Sequence, residues 1–216
     1  RYYLNGALMI LKEGSVEMVS TDGHRLAYAR LNSSELKVDG EIRGIVSKKT
    51  LGELRKFEEE SVEFDLDENN LFFKVDARTL MSRAIEGKFP NYEAVIPSEN
   101  LLTMTISREE LIDAIRRVSL LSAERSKGIR FNIETDSLHL FSSNPEIGEA
   151  RDRVDAKYSG DPLEIGFNAQ YLLDFLTTAK SDSIQFEMKD ENSAVLMKPS
   201  GEGEMLYQYV LMPMKI

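Results

Sequence analysis

The 216-residue sequence contains no cysteine, which excludes disulfides and thiolate metal sites and fits a reducing, cytoplasmic setting. It has only two histidines, His24 and His139, too far apart in sequence to suggest a zinc ligand set. No apolar run approaches the ~20 residues that a membrane-spanning helix needs, so no membrane partner is expected. Phosphate loops, dinucleotide fingerprints and metal motifs are also missing. No serine sits in a nucleophile-elbow context. Gly201-Glu-Gly203 has no helix after it and reads as a turn. Neither a cofactor nor a metal is therefore expected.

The chain does contain a long internal repeat. Ser15–Asp22 (SVEMVSTD) matches Ser137–Asn144 (SLHLFSSN) at an offset of 122 residues. The same offset relates Gly6 to Gly128, Leu51 to Leu173, Leu54 to Leu176 and Phe64 to Phe186. Val62–Leu66 (VEFDL) falls on Ile184–Met188 (IQFEM). Solenoid units run about 20–50 residues, so a repeat this long reads as a duplicated domain. The second copy begins near Leu101, and the first lacks the equivalent of Leu101–Ser122, as though the chain starts late. Pro90, Pro97 and Ser98-Glu-Asn100 mark the boundary, giving expected domains at 1–99 and 100–216.

Net charge is −10. That disfavours a nucleic-acid partner until the distribution is considered. Glu58–Glu68 (EEESVEFDLDE) holds seven acids and no base, whereas Ser47–Phe57 (SKKTLGELRKF) holds four bases and one acid. Charge is thus segregated by segment.

Strand patterns dominate, at Ser15–Ser20, Ser61–Leu66, Leu71–Val75, Ser137–Ser142, Ser183–Met188, Ala194–Lys198 and Met205–Leu211. Turn chemistry separates them at Asp22-Gly23, Glu68-Asn69-Asn70, Asn144-Pro145 and Pro199-Ser200-Gly201. Three helices are predicted. Ser107–Leu121 opens on a capping box, Ser107-Arg-Glu-Glu110, and carries Leu111, Ala114, Ile115, Val118 and Leu121 at helical spacing. Asn168–Lys180 starts from an Asn cap with Leu172, Phe175, Leu176 and Ala179 inward. Ser47–Phe57 is its counterpart in the first copy, with Leu51 and Leu54 inward. Each complete copy reads strand, helix, strands, helix, strands, an α+β class with helices on one face of antiparallel sheet.

One constellation suggests catalysis. In Asp22-Gly23-His24-Arg25 a carboxylate near an imidazole can orient a general base, which would make the protein a hydrolase. Asp-Gly is first a turn signal, however, and the second copy has Asn144-Pro145-Glu146 there. No catalytic residue is therefore assigned. A repeated, acidic α+β interaction module with no nucleic-acid role remains a second reading of the composition.

Five segments taken in order, Arg1–Gly6 (RYYLNG), Thr21–Leu26 (TDGHRL), Gly87–Tyr92 (GKFPNY), Gly166–Asn168 (GFN) and Tyr209–Ile216 (YVLMPMKI), resemble the β subunit of bacterial DNA polymerase III, the replicative sliding clamp. The resemblance spans the chain. It implies most of that family's middle domain followed by its third domain, in the DNA-clamp fold, with helices on the inner face and antiparallel sheets outside. It further implies a non-enzymatic ring, a homodimer at full length, that encircles double-stranded DNA without reading sequence and tethers the polymerase. For the DNA-facing surface it implies Tyr2, Tyr3, Lys48, Lys49, Arg55, Arg116, Arg117, Arg125 and Lys127.

The resemblance also implies a pocket that takes a short motif, roughly Gln-Leu-x-Leu-Phe, from polymerase, clamp loader and repair proteins. Matching positions are Leu4, Thr21, Gly23, His24, Arg25, Leu26, Pro90, Val95, Tyr171, Asn192, Ala194, Val210, Met212, Pro213, Met214, Lys215 and Ile216. The apolar, methionine-bearing tail suits an adaptable groove, and Pro213 interrupts a clean strand ladder. Leu120 and Leu121 match the third domain's share of the ring interface, whose partner would be a first domain that this chain lacks. The fragment is not expected to close a ring. Departures from the family are Ala94 at the pocket rim, Lys215-Ile216 at the tail, and Ser126-Lys127 in place of an aromatic-basic pair.

Overall fold

A computed structural model describes residues 2–57, 61–123, 127–201 and 203–215, without the Tyr2 side chain. Arg125 and Ile216, and with them Arg1, Glu58 to Glu60 and Ser126, lie outside the described residues. The chain forms two compact units, Arg1–Glu93 with Glu204–Leu206, and Ala94–Gly203 with Tyr207–Ile216.

The first unit opens with a 3-10 turn at Tyr2–Leu4. Strands β1 (Gly6–Lys12), β2 (Ser15–Thr21), β3 (Arg25–Asn32) and β4 (Glu41–Ser47) pair antiparallel in the order β3-β2-β1-β4. Helix α1 (Lys48–Leu54) follows, and β5 (Glu63–Leu66), β6 (Asn70–Val75) and β7 (Arg78–Arg83) form a second sheet. Gly6 is demanded sterically, because a Cβ there would lie 2.2 Å from the Val46 carbonyl oxygen. Met9, Leu11, Val46, Leu71 and Phe73 make the core, and Leu51, Leu54 and Phe64 pack against it. The two sheets thereby bury facing side chains between them, each worth about 1.5–3 kcal/mol when fully enclosed.

The second unit runs β8 (Leu102–Ser107), α2 (Arg108–Ser119), β9 (Gly128–Glu134), β10 (Ser137–Asn144), β11 (Gly148–Lys157), β12 (Leu163–Asn168), α3 (Ala169–Leu176), β13 (Ser183–Met188), β14 (Val195–Pro199) and β15 (Met205–Leu211). This is the predicted alternation. Its strands lie in the order β12-β9-β10-β11-β8-β13-β14-β15. The α2 residues Leu111, Ala114, Ile115 and Val118 are buried as the spacing predicts, and Ile112 joins them. Phe131, Phe167 and Phe186 are fully buried in the same unit, with Phe131 and Phe167 edge-to-face at 5.3 Å.

The repeat is a structural one. The order β3-β2-β1-β4 reappears as β11-β10-β9-β12, and β5-β6-β7 as β13-β14-β15. Even loop hydrogen bonds recur. Gly14 N donates to Leu36 O at 3.1 Å, and Asp136 N to Tyr158 O at 3.1 Å. The first amide of α1, Lys48 N, donates to Asn5 O at 2.9 Å, and that of α3, Ala169 N, to Lys127 O at 2.8 Å. Among the described residues the first unit has no counterpart of β8, which in the second unit pairs with both β11 and β13.

Three helix ends differ from the sequence expectation. Helix α1 stops at Leu54 rather than Phe57. Helix α2 stops at Ser119, leaving Leu121 half-buried in a turn. Helix α3 stops at Leu176 rather than Lys180. The Thr177 and Thr178 hydroxyls donate to the Leu173 and Asp174 carbonyls, capping the helix with side chains, and Ala179 is buried beyond it.

Candidate functional site

In the first unit, Thr21 to Leu26 form one tightly bonded turn between β2 and β3. The Asp22 Oδ1 accepts the amides of His24 at 2.9 Å and Arg25 at 3.1 Å, while Oδ2 takes Arg25 Nε at 3.0 Å. The Thr21 hydroxyl donates to the Arg25 carbonyl at 2.7 Å and accepts the Gly23 amide at 3.1 Å. Gly23 sits at φ 92°, a conformation that suits glycine. Burial of Asp22 opposes its ionisation. The amides of His24 and Arg25 and the Arg25 guanidinium together outweigh that and hold the carboxyl below its usual range. Asp22 therefore engages the backbone of His24 and not its imidazole. The hydrolase reading loses its base-orienting carboxylate. His24 and Gly23 are exposed on this turn, Arg25 and Thr21 half-buried, and Leu26 buried. Leu4 is half-buried in its 3-10 turn and Pro90 is exposed.

Pro90 belongs to a segment in which Phe89 and Tyr92 are buried. Tyr92 stacks on Tyr28 at 5.9 Å, and its hydroxyl reaches buried Glu17 at 3.4 Å. Sequence patterning gave no sign of a buried acid inside β2. Its Oε1 lies 3.4 Å from Lys12 Nζ.

In the second unit, Tyr171 is half-buried in the first turn of α3, which Asn168 Oδ1 caps by accepting the amides of Gln170 at 2.9 Å and Tyr171 at 3.2 Å. The Tyr209 hydroxyl donates to the Tyr171 carbonyl at 3.0 Å, and its ring stacks on Phe175 at 5.1 Å. Strand β15 ends at Leu211, one residue past buried Val210. Met212 is 42% exposed, Pro213 and Met214 are half-buried, and Lys215 is exposed. The Met214 amide donates to the Gly166 carbonyl at 2.9 Å, which fastens the tail to β12. Val95 is 45% exposed. Asn192 and Ala194 lie in and beside a turn organised by Asp190, which accepts the amides of Asn192 at 2.9 Å and Ser193 at 2.8 Å. The Asn192 amide, then the Ser193 hydroxyl, hold the Asp190 carboxyl below its ordinary value. Asp67 organises the equivalent turn of the first unit, with amides of Asn69 and Asn70 as donors. The signal was legible as an acid two and three residues before the bonded amides.

The basic candidates divide in two. Lys48 and Lys49 begin α1 and Arg55 closes it, all exposed and with no ion pair among the described residues. Lys127 is exposed at φ 46°. Tyr3 is half-buried. On α2, by contrast, Arg116 lies 3.9 Å from Asp113, and Arg117 Nε donates to Asp152 Oδ2 at 2.7 Å. Both arginines occupy the last turn of α2, where the helix dipole also favours cations. Leu120 is 77% exposed at the C-cap of α2, beside half-buried Leu121. Among the described residues no group of acids and histidines is placed to hold a metal, and no helix is long and apolar enough to cross a membrane.

Two family models match the chain, the DNA polymerase III beta subunit central domain over residues 1–91 and its C-terminal domain over residues 93–215. The beta sliding clamp of Vibrio cholerae serotype O1 is 34% identical over 220 residues, a match covering 100% of this chain and 59% of that protein. The beta sliding clamp of Caulobacter vibrioides is 36% identical over 225 residues, with the same coverage. A crystal structure of the DNA polymerase sliding clamp from Pseudomonas aeruginosa superposes with a TM-score of 0.94 at 34% identity, covering 100% of this chain and 59% of that one. The sliding clamp of Bartonella birtlesii bound to griselimycin gives 0.91 at 35% identity, with the same coverage. The chain thus spans about 59% of the length of these relatives.

Proposed function

Because the chain belongs to the DNA polymerase III beta-subunit family, we propose that it acts as the middle and third domains, residues 1–99 and 100–216, of a sliding-clamp processivity factor. At full length such a clamp encircles duplex DNA as a homodimer and tethers the replicative polymerase without chemistry of its own. The tandem match to two successive clamp domains is the observation that carries the reading. It also accounts for the acidic composition, since sequence-independent phosphate contacts need local cations and not a basic whole. The acidic interaction-module reading has no such support.

We assign docking in the second unit to Val95 and the Met212–Lys215 tail with Tyr171, Asn192, Ala194 and Val210, and in the first unit to the Thr21–Arg25 turn with Leu4, Leu26 and Pro90. The half-exposed methionine next to Pro213 supports this assignment, because a flexible thioether packs against varied apolar side chains. Polymerase, clamp loader and repair proteins would present a short Gln-Leu-x-Leu-Phe motif to it. Titration of a fluorescent Gln-Leu-Ser-Leu-Phe peptide into the chain tests the proposal. Saturable binding that Met212→Ala weakens about tenfold is expected. A folded chain with no saturable binding would remove the docking assignment.

A further inference from the structure

We infer that Asp152 neutralises Arg117, so that α2 contributes less charge to a DNA contact than its sequence suggests. The inference rests on the reading that α1 and α2 face duplex.

The cations of α2 already have partners. The helix holds three bases, Arg108, Arg116 and Arg117, and three acids, Glu109, Glu110 and Asp113. Arg108 donates through Nε to the Ser181 carbonyl at 2.8 Å and through Nη1 to the Leu176 carbonyl at 3.3 Å, so it closes the C-terminal end of α3. Arg116 has Asp113 one turn behind it at 3.9 Å.

Arg117 meets a partner from another element. Asp152 lies on β11, and its carboxylate is fixed at both oxygens. Oδ1 accepts the Arg153 amide at 2.8 Å, and Oδ2 accepts Arg117 Nε at 2.7 Å. The acid is the less exposed partner, 22% against 61% for the arginine side chain. It is thus an oriented acceptor at charge-assisted distance, already in place when a phosphate arrives. The Arg117–Asp152 pair as a whole brings no net charge to the contact, and a neutral pair releases no counterion from DNA. Lys48, Lys49 and Arg55 of α1 have no such acid among the described residues.

Fluorescence anisotropy of a labelled linear duplex, titrated with the chain between 50 and 200 mM salt (about a fourfold range), tests the inference. Asp152→Asn is expected to steepen the salt slope by about 0.9, about a 3.5-fold greater loss of affinity across that range. Asp152→Asn with Arg117→Ala should return to the wild-type slope. No change for Asp152→Asn, or a slope about 0.9 shallower than wild type for the double variant, overturns the inference. Lys48→Ala with Lys49→Ala separates the two levels. If it abolishes wild-type binding while Asp152→Asn changes nothing, the Asp152 role fails and the DNA-facing reading stands. If no protein binds duplex, Asp152→Asn included, both fail.

Discussion

The Tyr92 hydroxyl points at Glu17 across 3.4 Å, in a buried environment where the Tyr92 ring also stacks on Tyr28. Burial first, and the Glu17 carboxylate second, push the Tyr92 phenol up to about 12. A phenol raised in the folded state stabilises fully below its unfolded value near 10, and that contribution disappears as pH rises through about 12. The denaturation midpoint should therefore fall between those values. Tyr92→Phe should flatten this alkaline limb and cost about 1 kcal/mol at neutral pH, the net worth of one hydrogen bond. Denaturant titrations at several alkaline pH values would check both.

Two glycine substitutions should have opposite signs. Gly14 sits at φ 75° with open space around it, so Gly14→Ala meets no clash and loses only conformational fit, about 1–2 kcal/mol. Gly52 lies inside α1, also in open space and without a positive φ, so Gly52→Ala should gain about 0.5–1 kcal/mol. Thermal melts of the two variants would show the contrast.

Capping strength should follow geometry. Asn168 accepts two amides at 2.9 and 3.2 Å, whereas Ser107 accepts one at 3.5 Å. Asn168→Ala should cost about 1 kcal/mol and Ser107→Ala about half of that. Equal losses in chemical denaturation would contradict this ranking.

The Thr21–Arg25 turn should depend on the Asp22 carboxylate and not on the His24 ring. His24→Ala should leave stability within about 0.5 kcal/mol of wild type. Asp22 is held below its ordinary value, so its contribution is present above about pH 4 and is lost as pH falls through the folded value. Asp22→Ala should thus destabilise more at pH 7 than at pH 2. Denaturation of both variants at the two pH values distinguishes the roles.

Sequence reasoning reached the fold through local signals that duplication made visible twice. Strand patterns, the Ser107 and Asn168 caps and the apolar stripe of α2 each depend on residues within one or two turns. Features that depend on distant partners were not legible. Asp152 is 35 residues from Arg117, and Tyr92 is 75 from Glu17, so no spacing rule links them. The turn residue at Gly14 is recognisable as glycine, but its counterpart Asp136 holds φ 57° as an ordinary aspartate and reads as a surface charge. The early end of α3 came from threonine hydroxyls that compete for the last carbonyls, which apolar periodicity does not register. Among the proposed docking positions, exposure separates Met212 and Val95 from buried Leu26 and Val210, although all four are apolar in sequence.

Strand β8 joins the two halves of the second unit's sheet unequally. It pairs with β13 over six residues, from Ser107 with Ser183 to Leu102 with Met188, but with β11 only at Ala156 with Ile106 and Lys157 with Thr105. Under mechanical load the sheet therefore has a tear line. Tension across the strands would open the two-residue β11–β8 junction first, leaving β8 attached to β13 and the load carried by α2, which packs along β11.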